Sequence, residues 1–163
     1  MKIFLAALAL MFSALSVSSQ QDWTNYKERT LAEIVEQNKE FTQGGTRHYL
    51  FTGDVFPSRV SLIYTGEFRA IDNDRKEFIR GFFKSTQHEE LADLFKTEAL
   101  FKENGVEHWL PVQNGLLDAL KKEAKKGRKV LVFTNWLGAL TREGKVDWVF
   151  IVNEFDANES GER

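Results

Sequence analysis

Apolar side chains recur mostly at every second position along residues 59–70, and Ile63 is the one apolar residue on the polar side. A period of two is typical of a half-buried antiparallel strand, so we predict such a strand here. A shorter strand is predicted over residues 47–52, where Tyr49 and Phe51 share a side. The glycine, aspartate and proline between these two runs indicate a turn.

A helical period marks three other stretches of the chain. Residues 25–41 carry their apolar side chains on one face, with Asn25 and Glu28 in the positions of a capping box. Residues 72–85 contain four apolar side chains at the spacing i, i+1, i+4 and i+5. Residues 112–126 are predicted to form a helix that ends before a glycine.

A short fourth helix is predicted after Thr86, which is in capping-box spacing with Glu89. This prediction places Leu91, Leu94 and Phe95 in the interior.

The stretch 98–111 is open to two interpretations, a continued helix or a hairpin. We favour the hairpin because Asn104-Gly105 is the strongest two-residue hairpin signal. The clearest strands are 129–140 and 145–155, joined by a turn over 141–144. Their nearly continuous apolar runs predict burial on both faces.

This order of elements predicts an α+β fold with a mainly antiparallel sheet and three to four helices. A helix that leads into a last long hairpin is compatible with a small barrel of the OB type. A flat sheet with helices on one side fits almost equally well. We expect one globular domain over residues 20–163, with residues 156–163 as a frayed polar tail.

Residues 1–19 have the three parts of a secretory signal peptide: a basic start, an apolar stretch from Ile3 to Leu15, and small polar residues before the cleavage position. The apolar stretch is well short of the ~20 residues that a membrane-spanning helix needs. We therefore expect cleavage after Ser19 or Ser18 and an exported, soluble domain in the periplasm or outside the cell, with no transmembrane segment left.

The composition excludes several kinds of chemistry. The 163 residues include no cysteine, which excludes disulfides, thiolate catalysis and cysteine-ligated metal centres. Hydrophobic residues make up 42 % and aromatic residues 13 %, enough to form a core by packing alone. The formal net charge of −2 provides no overall attraction to nucleic acid, so we expect no nucleic-acid partner. The sequence has no phosphate-binding glycine motif and no complete metal-binding motif, so we expect no cofactor and no metal.

Polar residues interrupt the last two core-like strands, and tryptophans lie beside them. Buried polar groups need hydrogen-bond partners, so a bulge or a turn is one explanation. The other is a polar and aromatic pocket wall, since indole rings provide flat apolar surfaces for a small amphipathic ligand or a protein partner. The candidate ligand-binding residues are Trp109, Asn135, Trp136, Asp147, Trp148 and Asn153.

A run of cations ends the helix predicted over 112–126. Cations at a helix C-terminus complement the helix dipole, which explains them without a ligand. The functional alternative is contact with an anion or a polyanion. The candidate anion contacts are Lys121, Lys122, Lys125, Lys126, Arg128 and Lys129.

Catalytic patterns are sparse. His48 and Asp54 flank a predicted turn, as an acid–base pair would. Asp147 and Glu154 share the last strand, but their odd spacing requires a bulge before both face one side. Glu67 would have to meet Asp147 across the sheet. His88 begins a sequence like the zinc-binding helix motif, but its second histidine is replaced by alanine.

Three functional hypotheses follow. The first is a non-enzymatic binding or interaction module with an aromatic-lined surface. The second is a hydrolase of the cell envelope that uses carboxylates or the pair of His48 and Asp54. The third is a module that contacts polyanions through the cations of residues 121–129. They are distinguished by whether the polar candidates converge in one cleft and by the salt dependence of binding.

Overall fold

A computed structural model describes residues 23–42, 49–142 and 144–158. The strands are β1 (Lys27–Glu28), β2 (Tyr49–Phe51), β3 (Ser58–Ala70), β4 (Phe95–Glu103), β5 (Val106–Gln113), β6 (Lys129–Arg142) and β7 (Lys145–Asp156). The α-helices are α1 (Leu31–Gln37), α2 (Asn73–Ser85) and α3 (Leu117–Glu123), and short 3-10 helices span Trp23–Asn25, Lys39–Thr42, Glu89–Leu94 and Asn114–Leu116. The predicted α+β class is confirmed. The predicted signal peptide and the last five residues lie outside the described ranges.

The described strands form one mixed sheet in the order β1-β3-β4-β5-β7-β6-β2, and β3 also pairs with β6. The pairings of β3, β4, β5, β7 and β6 therefore close a ring. Most pairings are antiparallel, as predicted. The parallel ones are the short contact of β1 with β3 and one residue pair, Val112 with Val152, between β5 and β7.

Two hydrophobic clusters lie on opposite faces of β6 and β7. Trp136 and Phe150 belong to a cluster that includes side chains from all five ring strands and from α1 and α3. Leu137 and Ile151 belong to the second cluster, in which α2 contributes four apolar side chains, among them Phe78. The predicted burial of these strands on both faces is confirmed, and it explains their continuous apolar sequence.

The hairpin prediction for residues 98–111 is also confirmed. Asn104 and Gly105 have φ angles of 50° and 84°, so both central residues of the turn between β4 and β5 are in the left-handed region. A two-residue turn with two positive φ angles matches the twist of the strands that it joins. The helical interpretation of this stretch is wrong.

The first helix is shorter than predicted because its cap lies elsewhere. Thr30 Oγ1 accepts a hydrogen bond from the Glu33 backbone N–H at 3.0 Å, and Glu33 Oε2 accepts from the Thr30 N–H at 2.7 Å. This capping box starts α1 at Leu31 rather than at Asn25. The predicted box of Asn25 with Glu28 is wrong, since Glu28 pairs with β3.

Two other helix predictions need correction. The stretch 112–126 begins as a strand, because Val112 pairs with Thr97 on one side and with Val152 on the other. The helix α3 starts at Leu117 and ends at Glu123.

After Thr86 the chain forms a 3-10 helix in which Leu91 and Leu94 are exposed. Only Phe95, which opens β4, is buried as predicted.

The helix α2 matches its prediction closely. Asp72 is the N-cap and accepts a hydrogen bond from the Arg75 backbone N–H at 2.9 Å. The helix buries its predicted apolar side chains Phe78, Ile79, Phe82 and Phe83. No helix in the described part of the chain is long and apolar enough to cross a membrane.

We expect Gly138→Ala to destabilise the protein by at least about 2 kcal/mol. Gly138 has a φ of 133°, and a Cβ there would lie 2.0 Å from the carbonyl oxygen of Leu50 on β2. Gly115→Ala is the control, because no atom lies within 4 Å of its added Cβ. Urea unfolding measures both variants. Equal unfolding midpoints would contradict this close approach of β2 to β6.

Candidate functional site

Three of the six candidate ligand-binding residues line one cleft. Trp109 of β5 and Asp147 and Trp148 of β7 border a cavity of about 260 Å³ between these two strands. Trp136 does not reach this cleft, because it is 1 % exposed and its Nε1 donates to the Gly138 carbonyl at 2.7 Å. The cavity walls also include Val35, Arg75, Glu107, His108, Leu110, Val146 and Phe150.

The cleft exists because β5 and β7 hardly pair. Their one residue pair, Val112 with Val152, lies near the C-terminal ends of both strands. Pro111 precedes it and has no backbone N–H to donate to a neighbouring strand. Residues 107–110 of β5 therefore lie beside residues 146–150 of β7 without strand pairing, and the cleft lies between them.

Arg75 of α2 bridges this open seam. Its Nη1 donates to the Trp109 carbonyl oxygen on β5 at 3.0 Å, and its Nη2 donates to Asp147 Oδ2 on β7 at 2.5 Å. Nη1 also donates to Glu98 on β4. The side chain of Arg75 is 6 % exposed and that of Glu98 is 1 % exposed. One guanidinium thus connects three strands to the helix that covers them.

Further arginines extend this ion-pair network to the surface. Arg69 donates to Glu98, and Arg142 donates to Asp147 Oδ2 at 3.0 Å and to Asp72 Oδ2 at 2.8 Å. Three guanidiniums and three carboxylates alternate along these hydrogen bonds, and Asp74 Oδ2 lies 4.0 Å from Arg142 Nη1. Each buried charge faces an opposite one, which offsets part of the cost of desolvating them, and Arg75 Nε is buried without a hydrogen-bond partner among the described residues.

The network also changes the pKa values of its members. Burial alone would lower the pKa of Arg75, but the Asp147 and Glu98 carboxylates raise it above its usual value. Burial alone would raise the pKa of Asp72. The Arg75 backbone N–H and the Arg142 guanidinium outweigh that effect, so the pKa of Asp72 is lowered. Both shifts favour the charged forms that the network requires.

Both tryptophans of the cleft contact other side chains. The guanidinium carbon of Arg69 lies 4.0 Å from the ring centroid of Trp109, which is a cation–π contact. The ring of Trp148 lies 5.4 Å from that of Trp136. These contacts hold the two rings that border the cleft in defined positions.

Asn135 and Asn153 belong to a separate polar cluster around Tyr26. Asn153 Nδ2 donates to the Tyr26 hydroxyl oxygen at 3.2 Å, and Asn153 Oδ1 accepts from Gln113 Nε2 at 3.1 Å. Burial raises the pKa of Tyr26, and hydrogen bonds with Asn153 and Asn135 partly offset this. Asn153 is explained by these side-chain hydrogen bonds rather than by the cleft, whereas Asn135 Oδ1 is buried without a hydrogen-bond partner among the described residues.

The six cationic candidates are all exposed. They lie on the last turn of α3, on the loop after it and at the first residue of β6. Lys121 Nζ lies 5.0 Å from the ring centroid of Phe68. Within the described ranges none of the six forms an ion pair. Their positive charge therefore faces solvent.

The candidate carboxylates Asp147 and Glu154 do not converge. His48 lies outside the described residues, and Asp54 Oδ1 accepts from the Phe56 backbone N–H at 3.0 Å within a turn. β7 does have a bulge near Asn153, where its register with β6 shifts. A strand rises about 3.3 Å per residue, so Asp147 and Glu154 are about 20 Å apart, too far for a shared carboxylate site. Among the described residues no group of three or more metal-ligating side chains is present.

Comparison with known proteins found no matching family model, no matching curated protein and no matching solved structure. The site is therefore defined by its geometry. Sequence reasoning missed Arg75 and Glu98, its most buried charges. The sequence does mark both positions, because Arg75 lies on a helix beside apolar residues and Glu98 interrupts a strand. These patterns do not indicate that the two side chains pair with each other.

We expect Arg75→Met to cost about 3–5 kcal/mol of stability, because it leaves Glu98 buried without its nearest cation. The double variant Arg75→Met, Glu98→Met removes both charges and should regain most of that loss. Arg80→Met on the same helix is the control, since its ion pair with Asp93 is exposed and should contribute about 1 kcal/mol or less. Urea unfolding gives the coupling energy. A double variant as unstable as the sum of its single variants would contradict the network.

His108 should make the protein less stable in mild acid. Burial lowers its pKa below the usual 6.5, and the nearby Glu103 charge offsets only part of this effect. Below pH 6.5 the unfolded chain therefore binds more protons than the native state, and stability falls as the pH drops through that window. His108→Gln should flatten this dependence in urea unfolding between about pH 7.5 and about pH 5.5. His88→Gln, at an exposed side chain, is the matched control. An unchanged slope in His108→Gln would contradict the assignment.

Proposed function

We propose that the protein is an exported binding module that holds a small amphipathic ligand in the cleft between β5 and β7. The observation that carries this proposal is the convergence of Trp109, Trp148 and Asp147 at one opening in the ring of strands. Small-molecule sites are concave, mostly apolar and contain a few oriented polar groups. The cleft is concave and places apolar residues such as Leu110 and Phe150 beside charged ones, although its exposed lining is more polar than apolar.

The strand arrangement supports a finer proposal, that the ring is a small barrel of the OB type. Five strands close by pairing, the ring is partly open between β5 and β7, and α3 leads into the last long hairpin. An OB-type barrel is a five-stranded, partly open Greek-key barrel whose surface binds ligands. Fold alone does not determine function, so the cleft carries the proposal.

Binding is favoured over hydrolysis by the state of the carboxylates. Asp147 is held by Arg75 and Arg142, and Glu98 by Arg75 and Arg69. A general acid or base has to exchange its proton with a substrate. Oxygens that accept from guanidiniums are poorly placed for that exchange. A hydrolase that uses His48 with Asp54 is the remaining alternative.

Export rests on the N-terminal sequence. The basic start, the apolar stretch and the small residues around Ser19 are those of a secretory signal. The described fold begins at Trp23, whose ring lies 4.8 Å from that of Phe133 on β6. Cleavage at the proposed position would therefore leave this aromatic contact intact.

A thermal-shift screen of the purified protein tests the cleft. The panel contains fatty acids, oligosaccharides, nucleotides, metals and heparin, and we expect one of these classes to raise the melting temperature. A ligand that binds only the native state stabilises that state by about 2.7 kcal/mol when its concentration is a hundred times its Kd. Trp109→Leu should abolish the shift. Trp23→Leu, which removes one indole on the far side of β6, should retain it. A flat screen, or an equal loss in both variants, would contradict binding in the cleft.

The second candidate function is contact with a polyanion. The observation in its favour is the exposed positive charge of residues 121–129, none of which forms an ion pair within the described ranges. In the same screen this function predicts a shift with heparin that falls steeply with salt. The shift and its salt dependence would be reduced in Lys125→Ala and would persist in Trp109→Leu, which separates the two surfaces.

A further inference from the structure

We propose that the cleft between β5 and β7 selects a small apolar cation, of which a quaternary ammonium group is the simplest form. The inference rests on the proposed function, since it names the chemical class of the ligand for the same cleft. Its basis is the juxtaposition of two tryptophans with two carboxylates around a cavity of about 260 Å³.

The exposed charges that line the cleft are negative. The side chain of Glu107 is 55 % exposed and that of Asp147 is 29 % exposed. The cation in the lining, Arg75, is 6 % exposed, and its guanidinium is shared between Glu98 and Asp147. A ligand that enters the cleft therefore meets carboxylate oxygens before it meets guanidinium nitrogens.

Of the three cations that partner these carboxylates, Arg142 and Lys102 lie outside the lining, and Arg75 lies in it but is buried. Arg142 donates to Asp147 Oδ2, the same oxygen that Arg75 uses, and Lys102 lies 3.0 Å from Glu107 Oε1. The pair of Lys102 with Glu107 is exposed on both sides and is therefore weak. A bound cation competes with Lys102 for Glu107 at little cost, whereas a bound anion would be repelled by Glu107.

The aromatic walls favour a cation of low hydration. Indole is the aromatic ring that attracts cations most strongly, and aromatic rings recognise quaternary ammonium groups in other proteins. The guanidinium carbon of Arg69 lies 4.0 Å from the ring centroid of Trp109, so one face of this ring already has a cation partner. The neighbouring Val35, Val146 and Leu110 offer methyl groups rather than hydrogen-bond acceptors. A methylated ammonium fits such walls better than a lysine ammonium, which is strongly hydrated.

The volume of the cleft limits the size of the ligand. Sites for drug-sized molecules measure about 300–1,000 Å³, so a cavity of about 260 Å³ accommodates a head group with a few carbons. The imidazole of His108 in the cleft wall is uncharged near neutral pH, because burial lowers its pKa, so it does not repel a cationic ligand. The ligand class is thus a compact cation with apolar substituents.

Titration of the protein with choline and with 3,3-dimethyl-1-butanol tests this proposal. The two molecules have nearly the same shape, but only choline is charged. Tryptophan fluorescence and calorimetry report binding on the unmodified protein, so the test does not depend on a variant that folds. We expect choline to bind about tenfold more tightly than the alcohol. Glu107→Gln, at an exposed position, should reduce this ratio, and Glu154→Gln near the other end of β7 should leave it unchanged.

Each outcome decides a different point. Preference for choline that depends on Glu107 supports the proposal. Equal binding of choline and the alcohol overturns the cationic ligand class and leaves the aromatic binding cleft in place. Binding of neither molecule, with another ligand found in the thermal-shift screen and lost in Trp109→Leu, also overturns the cationic class alone. Binding of neither molecule together with a flat screen overturns both proposals.

Discussion

The ring of strands depends on one buried guanidinium where backbone pairing stops. β5 and β7 share a single residue pair, and Pro111 lacks the N–H that would extend it. Backbone groups left inside a protein need partners, and Arg75 provides one for the Trp109 carbonyl. A buried arginine is itself costly unless carboxylates face it. Glu98 and Asp147 therefore stabilise the seam by compensating the buried charge of Arg75.

This constraint links the two hydrophobic clusters. Arg75 belongs to α2, whose apolar face packs on the outer side of β6 and β7. Its guanidinium reaches β4, β5 and β7 at the edge of that interface. The helix thus covers the sheet through apolar contacts along its length and through charges at its first turn. Apolar contacts are non-directional, whereas the ion pairs have fixed geometry and determine where the helix sits.

Local patterns predicted most elements of this fold, and the errors have identifiable causes. The hairpin at Asn104-Gly105 and the apolar face of α2 follow from the chemistry of neighbouring residues, so the sequence is sufficient for them.

The first helix was misplaced because Thr30 and Asn25 both have acceptable capping partners. Val112 was assigned to a helix because strand pairing with Thr97 and Val152 is not local. Arg75 and Glu98 were missed for the same reason, since 23 residues separate the two partners.

Polar interruptions in the core-like strands have more than one physical origin. Asn153 satisfies its amide through Tyr26 and Gln113 at the bulge of β7, which is a structural solution. Asp147 satisfies its carboxylate through arginines and still leaves a partly exposed side chain at the seam. A sheet that needed only stability would close the seam with backbone hydrogen bonds and apolar side chains, because replacing buried ion pairs in this way is often neutral or stabilising. The ion pairs at this seam are therefore weak evidence for a role in stability, and the open cleft that they border with two tryptophans is the site proposed for binding.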